Sequence, residues 1–109
     1  MAEVFRMLNQ SLTTAEANVY VCNAATRAIV FLGQLANSDG ANSADATIYA
    51  TDSSNSNSKK FLTKTVPVPA DSATTFLTGK LVLEGGDFIS GLASSNSHID
   101  VTISVLEIT

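Results

Sequence analysis

A single histidine, His98, and a single cysteine, Cys22, bound the chemistry open to this 109-residue chain. Transition-metal sites draw chiefly on clustered Cys and His ligands, and no Cys or second His stands at ligand spacing from His98, so its partners would have to come from far along the chain. A Ser-His-Asp arrangement would depend wholly on His98, and no G-x-S-x-G elbow accompanies the many serines. His98 therefore reads as a surface residue opening a strand, and no catalytic residue is expected. Cys22, between Val21 and Asn23, reads as a small buried hydrophobe; alone, it makes no intramolecular disulfide and no four-thiolate site. Asp39, Asp45, Asp52, Asp71, Asp87 and Asp100 are scattered singly, with no D-x-[DN]-x-[DN]-G calcium loop. Asp39-Gly40 and Gly85-Gly86-Asp87 have the composition to line a calcium site between loops, but turn chemistry accounts for both, so no metal or cofactor is expected. No glycine-rich turn leads into a helix with Lys-Ser or Lys-Thr, as a phosphate cradle requires.

Partners are bounded by charge. Six basic against ten acidic residues leave a net charge of −4, the wrong sign for condensing onto phosphate backbones, so nucleic acid is not an expected partner. Lys59, Lys60 and Lys64 form one basic cluster, which suits an exposed strand kept unpaired or, alternatively, a contact to an acidic surface. Phe5, Tyr20, Phe31, Tyr49, Phe61, Phe76 and Phe88 are spread about one per strand and there is no Trp, a distribution that suits a core better than a stacking platform. Only 15% of the residues are charged and 45% are apolar, against an average charged fraction of about 25%. The exterior must then be largely Ser, Thr, Asn and Ala, a bland surface that associates readily. No run approaches the roughly 18 apolar residues of a membrane span, and Met1 to Gln10, interrupted by Glu3 and Arg6, has no apolar run of signal-peptide length. Membrane insertion and secretion are not expected.

The elements that must position these residues are strands. Nearly every segment alternates with period two and is punctuated by turn residues. Strands are expected at Val4 to Leu8, Asn18 to Cys22, Arg27 to Leu35, Thr47 to Thr51, Phe61 to Val66, Thr74 to Leu77, Lys80 to Leu83, from Phe88, and from Ile99. Ser11 to Glu16 is too short for a stable helix and reads as a connector. Ala28 to Leu32 lacks alternation, as in a strand buried on both faces or folded under a partner chain. Pro67 and Pro69 confine their segment to a sheet edge or a crossing between sheets. Asp52 to Ser58 is a polar, mobile loop tip. In the last strand Ile99, Val101, Ile103 and Val105 share a face, and the slip to Leu106 and Ile108 calls for a bulge after Val105. The expected fold is all-β: an antiparallel β-sandwich, jelly-roll or Ig-like, of about seven to nine short strands in a single domain over residues 1–109.

Val19-Tyr20-Val21-Cys22-Asn23-Ala24, Leu35-Ala36-Asn37, Val66-Pro67-Val68-Pro69-Ala70, Lys80 through Ile89 with its Leu-Glu-Gly-Gly-Asp turn, and Val105-Leu106-Glu107-Ile108 occur in an order that spans nearly the whole chain. Together they resemble a group of small β-sandwich structural proteins of tailed bacteriophages. The resemblance implies a non-enzymatic virion protein made in the host bacterial cytoplasm. Its role would be capsid decoration (cement), binding and stabilising the major capsid lattice as a dimer or trimer; a neck, tail or fibre-adaptor component is the alternative. A calcium- or carbohydrate-binding module is the alternative of another class. Residues 1–10 are either the first strand or an interaction arm, and Val4, Phe5, Arg6, Met7 and Leu8 are the expected interface, since Val4, Phe5, Met7 and Leu8 are too apolar for a free tail.

Overall fold

The computed structural model describes residues 2–77 and 79–109; Met1, the first residue of the segment expected as first strand or arm, lies outside them. Nine strands are formed among the described residues: β1 (Glu3–Ser11), β2 (Ala17–Val21), β3 (Arg27–Asn37), β4 (Ala44–Asp52), β5 (Ser58–Val68), β6 (Ala73–Thr75), β7 (Leu81–Leu83), β8 (Phe88–Ala93) and β9 (Ile99–Ile108). All pairings are antiparallel. One sheet has the order β1-β9-β3-β6, with β7 also on β3, and the other runs β2-β8-β4-β5. With β6 and β7 counted as one interrupted strand, this is the double Greek-key order of a jelly roll. It differs from the ABED/CFG arrangement of an Ig fold, so the jelly-roll alternative holds.

Alternation builds the core. Ile99, Val101, Ile103 and Val105 of β9 are fully buried, as are Val30 and Leu35 of β3, Ile48 of β4 and Ile89 of β8. Their inward faces oppose one another across the sandwich, where close packing removes apolar surface from water. Cys22 belongs to this core, and its Sγ donates to the Thr26 carbonyl at 3.3 Å. Burial pushes the Cys22 thiol up, away from the thiolate. Leu12 of the Ser11 to Glu16 connector is also buried, with its N–H donated to Ile99 at 2.8 Å.

Three expectations need correction. The aromatic residues do not all serve the core: Tyr20 and Phe76 are buried, whereas Phe5, Phe31 and Phe61 are exposed. No bulge interrupts β9, whose register with β1 is continuous from Ile108 to Asp100. The extra residue is Phe31 on the partner strand, where the β3–β9 register shifts between Val30 and Leu32. Finally, Ala28 to Leu32 is not buried on both faces by this chain, because Phe31 and Leu32 are exposed. Polar Asp52 to Ser58 forms a 3₁₀ turn over Ser53–Asn55, capped by the Asp52 side chain accepting from the Ser54 N–H.

Candidate assembly surface

The register places side chains in rungs, because directly opposed residues of antiparallel strands project to the same face. Val82 of β7 is opposite Ile29 of β3, Ile29 is opposite Leu106 of β9, and Leu106 is opposite Phe5 of β1. Four apolar side chains on four neighbouring strands thus form one rung. It lies on the outer face, because the next residues along, Ala28, Val30 and Val105, are buried. The adjoining rung is Leu32, Ser104 and Met7. Phe31, raised at the bulge, meets Phe5 edge-on with ring centroids 6.1 Å apart. Phe5 is 72% exposed, Met7 67% and Val82 63%.

The block has sharp borders. On one side lies Glu3, Ile108 and Arg27, a rung with a charge at either end. On the other lies Asn9, Thr102, Gln34 and Thr75, which is wholly polar. An apolar centre rimmed by polar groups is the anatomy of a protein-binding patch, whereas isolated exposed apolar residues carry no such meaning.

The five expected interface residues all lie on β1, but its pleat divides them. Phe5 and Met7 join the outer block. Val4, Arg6 and Leu8 take the other face, with Leu8 packed against the core. Arg6 is tied down there: its Nη1 lies 3.3 Å from Glu107 Oε1, while the Tyr20 hydroxyl donates to Glu107 Oε2 at 2.5 Å. This chain of contacts links β1, β9 and β2 and so holds the edge strand against both sheets. Burial, reinforced by the Glu107 carboxylate, keeps the Tyr20 phenol protonated well above its ordinary value of 10.0. A raised folded-state value favours the fold fully below pH 10, and that contribution is lost as the pH climbs toward the folded-state value. Ultraviolet titration is expected to show one phenol that ionises late, or only as the chain unfolds; Tyr20→Phe should remove that late transition. Ionisation of Tyr20 near 10 in the folded protein would contradict the buried contact.

Ile29, Phe31, Leu32, Val82, Leu106 and Ile108 were not singled out as surface residues by sequence reasoning. Their signal was present in the non-alternating Ala28 to Leu32 run, which fits burial on both faces or under a partner chain, and in the change of phase at Leu106, which has a bulge as its competing explanation.

The other candidate groups are dispersed. His98 stands just before β9, its Nε2 3.2 Å from Asp39 Oδ2. The Asp39 carboxylate is held below the usual range by hydrogen bonds from the Ala41 and Asn42 backbone N–H groups. Asp39 and Asp87 adjoin opposite ends of β3: Asp39 follows Asn37, while the Asp87 carbonyl accepts from the Cys22 N–H before β3 begins. The two turns therefore do not combine into one calcium site. Asp87 instead joins Asp52 and Glu84, with carboxylate oxygens within 4.8 Å of one another, beside an open groove of about 410 Å³. Asp87 already accepts from the Ser53 N–H, the Ser53 hydroxyl and the Glu84 N–H, which gives the buried carboxylate a structural occupation.

Lys59, Lys60 and Lys64 lie on β5, the edge of the second sheet. Lys59 pairs with Glu16, whose carboxyl is held low chiefly by this contact. Tyr49 and Phe61 stack with centroids 4.9 Å apart, and the Lys59 and Lys64 ammonium groups lie over their rings. Each ring thus has a cation–π contact on one face.

No protein-family model and no curated protein matches the sequence. Solved structures do match in fold. A subunit from the Bacillus endospore appendages, described as a novel family of disulfide-linked pili, aligns with 99% of this chain and 87% of its own at a TM-score of 0.58 and 14% identity. A chain of the acid-stable capsid of Helicobacter pylori bacteriophage KHP30 aligns with 100% of this chain and 89% of its own at a TM-score of 0.56 and 7% identity. At such identities the likeness is one of fold.

Proposed function

We propose that this chain is a non-catalytic structural subunit of a bacteriophage particle, acting as a capsid decoration protein that binds the outside of the major capsid lattice and bridges its subunits. The observation that carries this reading is the apolar rung from Val82 to Phe5 with its polar borders. A lattice contact needs roughly 800 Å² from each partner, and a body with extents of 47 × 28 × 21 Å has broad faces of that order. The jelly-roll order and the ordered resemblance to tailed-phage structural proteins support a virion setting. The two fold neighbours are likewise parts of large assemblies, a phage capsid and a pilus. A role of this kind uses no cofactor.

A neck or tail location predicts a different stoichiometry, because a neck ring has few copies and a capsid lattice many. Quantitative mass spectrometry of purified particles is expected to give this chain in hundreds of copies, comparable with the major capsid protein. A dozen or fewer copies would move it to the neck or tail, and absence from particles would end the virion reading.

A further inference from the structure

The two long edge strands, β1 and β5, differ in how they are protected against pairing. β5 is defended: it carries Lys59, Lys60, Lys64 and Pro67, and its register with β4 shifts twice. Lysines, proline and bulges are the usual means of stopping an edge from pairing. β1 has none of them. Its register with β9 is unbroken over Glu3 to Ser11, and its sequence contains no Lys, Pro or Gly.

The direction of its free groups follows from the ladder. Ala2 and Thr109 exchange both backbone hydrogen bonds, at 3.2 and 2.9 Å. Bonded and non-bonded pairs alternate along an antiparallel ladder, so Val4, Arg6, Leu8 and Gln10 also bond to β9. Glu3, Phe5, Met7, Asn9 and Ser11 consequently turn their N–H and C=O groups to the open edge, where no backbone partner occurs among the described residues. These same residues carry the outward side chains, including Phe5 and Met7.

We infer that β1 pairs antiparallel with β1 of a second copy about a two-fold axis at Met7, producing a dimer with one sheet running through both subunits. Centring on Met7 matches Glu3 with Ser11 and Phe5 with Asn9 of the second copy, so every outward backbone group finds a partner. Centring on Arg6 would oppose two guanidinium groups, and like charges directly opposite are unfavourable. Pairing β1 with β5 of another copy would meet the lysines and bulges, which removes the head-to-tail alternative. The two-fold arrangement closes on itself and brings both Met7 side chains together, joining the two apolar blocks. This contact is separate from the lattice contact, and either stands without the other.

The test is sedimentation of the full chain at concentrations up to the order of 100 µM, a range that resolves micromolar association, with amide exchange on the same samples. The wild-type chain is expected to sediment at twice 11.4 kDa, and the Phe5, Met7 and Asn9 amides should gain protection with concentration while those of Arg6 and Leu8 stay protected throughout. Met7→Pro removes an outward N–H and no β9 bond, a position at which an edge strand tolerates proline; it should raise the dimer dissociation constant at least about a hundredfold. Should Met7→Pro misfold, Met7→Lys at this exposed position opposes two ammonium groups at the axis and should give the same monomer. A monomeric wild type, or a dimer in the folded variants with unchanged edge-amide exchange, would overturn the pairing. Particle occupancy lost by a variant that remains dimeric concerns the outer face instead.

Discussion

If the chain binds a capsid lattice as proposed, Val82→Lys combined with Phe31→Lys is expected to release it from the particle while leaving the folded subunit intact. Both side chains stand on the outer face, 63% and 44% exposed, and neither contributes to the enclosed core. Exposed substitutions usually change stability within about 0.5 kcal/mol and loss of the edge-on contact with Phe5 adds about 0.5–1.5 kcal/mol, so melting should fall by roughly 5–10 °C. In a bound lattice the same positions would be dry. A central apolar residue at an interface contributes about 2 kcal/mol or more when it is a hot spot, and a buried ammonium without a partner adds a desolvation penalty. Two such changes together should weaken attachment by roughly a thousandfold. The measurement is occupancy of stripped particles titrated with wild-type and variant subunits, with circular dichroism confirming the fold. Phe61→Lys, which alters an exposed aromatic on the opposite sheet, serves as the control and should bind normally. Full binding by the double variant would show that the apolar rung is not the contact, and loss of binding by Phe61→Lys would move the contact to the other sheet.

Sequence patterning was most informative where the two faces of a strand differ in polarity. Ile99 to Val105 alternates because β9 lies between β1 and β3, with one face on the core and the other polar over that stretch. Pro67 pointed to an edge because its missing N–H cannot serve a central ladder, and β5 is an edge. The same logic misled where the outer face is itself apolar. Leu106 and Ile108 do not mark a slip of β9; they keep its phase, Leu106 in the outer apolar block and Ile108 in the rung that borders it. Phe5 and Phe31 carried the same ambiguity, because one aromatic per strand records how many rings there are and nothing of the face each occupies. Strand length was also underread. Ser58, Lys59 and Lys60 are strand because they pair with Asp52, Thr51 and Ala50, a cross-strand relation that composition within the polar segment does not express. The division of β1 into edge-pointing and β9-bonded residues depends on the register with β9, and partners about a hundred residues away in the chain leave no local trace.

Asp87→Ala is expected to be the most destabilising of these changes, by about 3 kcal/mol, and to act equally with and without calcium. The carboxylate is 6% exposed and accepts from Ser53 N–H at 3.0 Å, Ser53 Oγ at 3.1 Å and Glu84 N–H at 2.9 Å. It therefore joins the turn before β8 to the 3₁₀ turn after β4. Alanine would leave two backbone donors without acceptors, and each orphaned buried group costs about 1–3 kcal/mol. Relief of repulsion among Asp87, Asp52 and Glu84, whose oxygens lie within 4.8 Å of one another, offsets part of that loss. For a chain of this size the net change corresponds to a fall in melting temperature of roughly 12–20 °C. A calcium module would behave differently, since a bound ion stabilises the native state by about 2.7 kcal/mol at a hundred times its dissociation constant. Melting of the wild type in millimolar calcium and in chelator distinguishes the two roles. Equal midpoints, with the large loss confined to Asp87→Ala, fit a carboxylate employed in binding two turns together. A calcium-dependent rise that Asp87→Ala abolishes would make the cluster a cation site and favour the binding-module alternative.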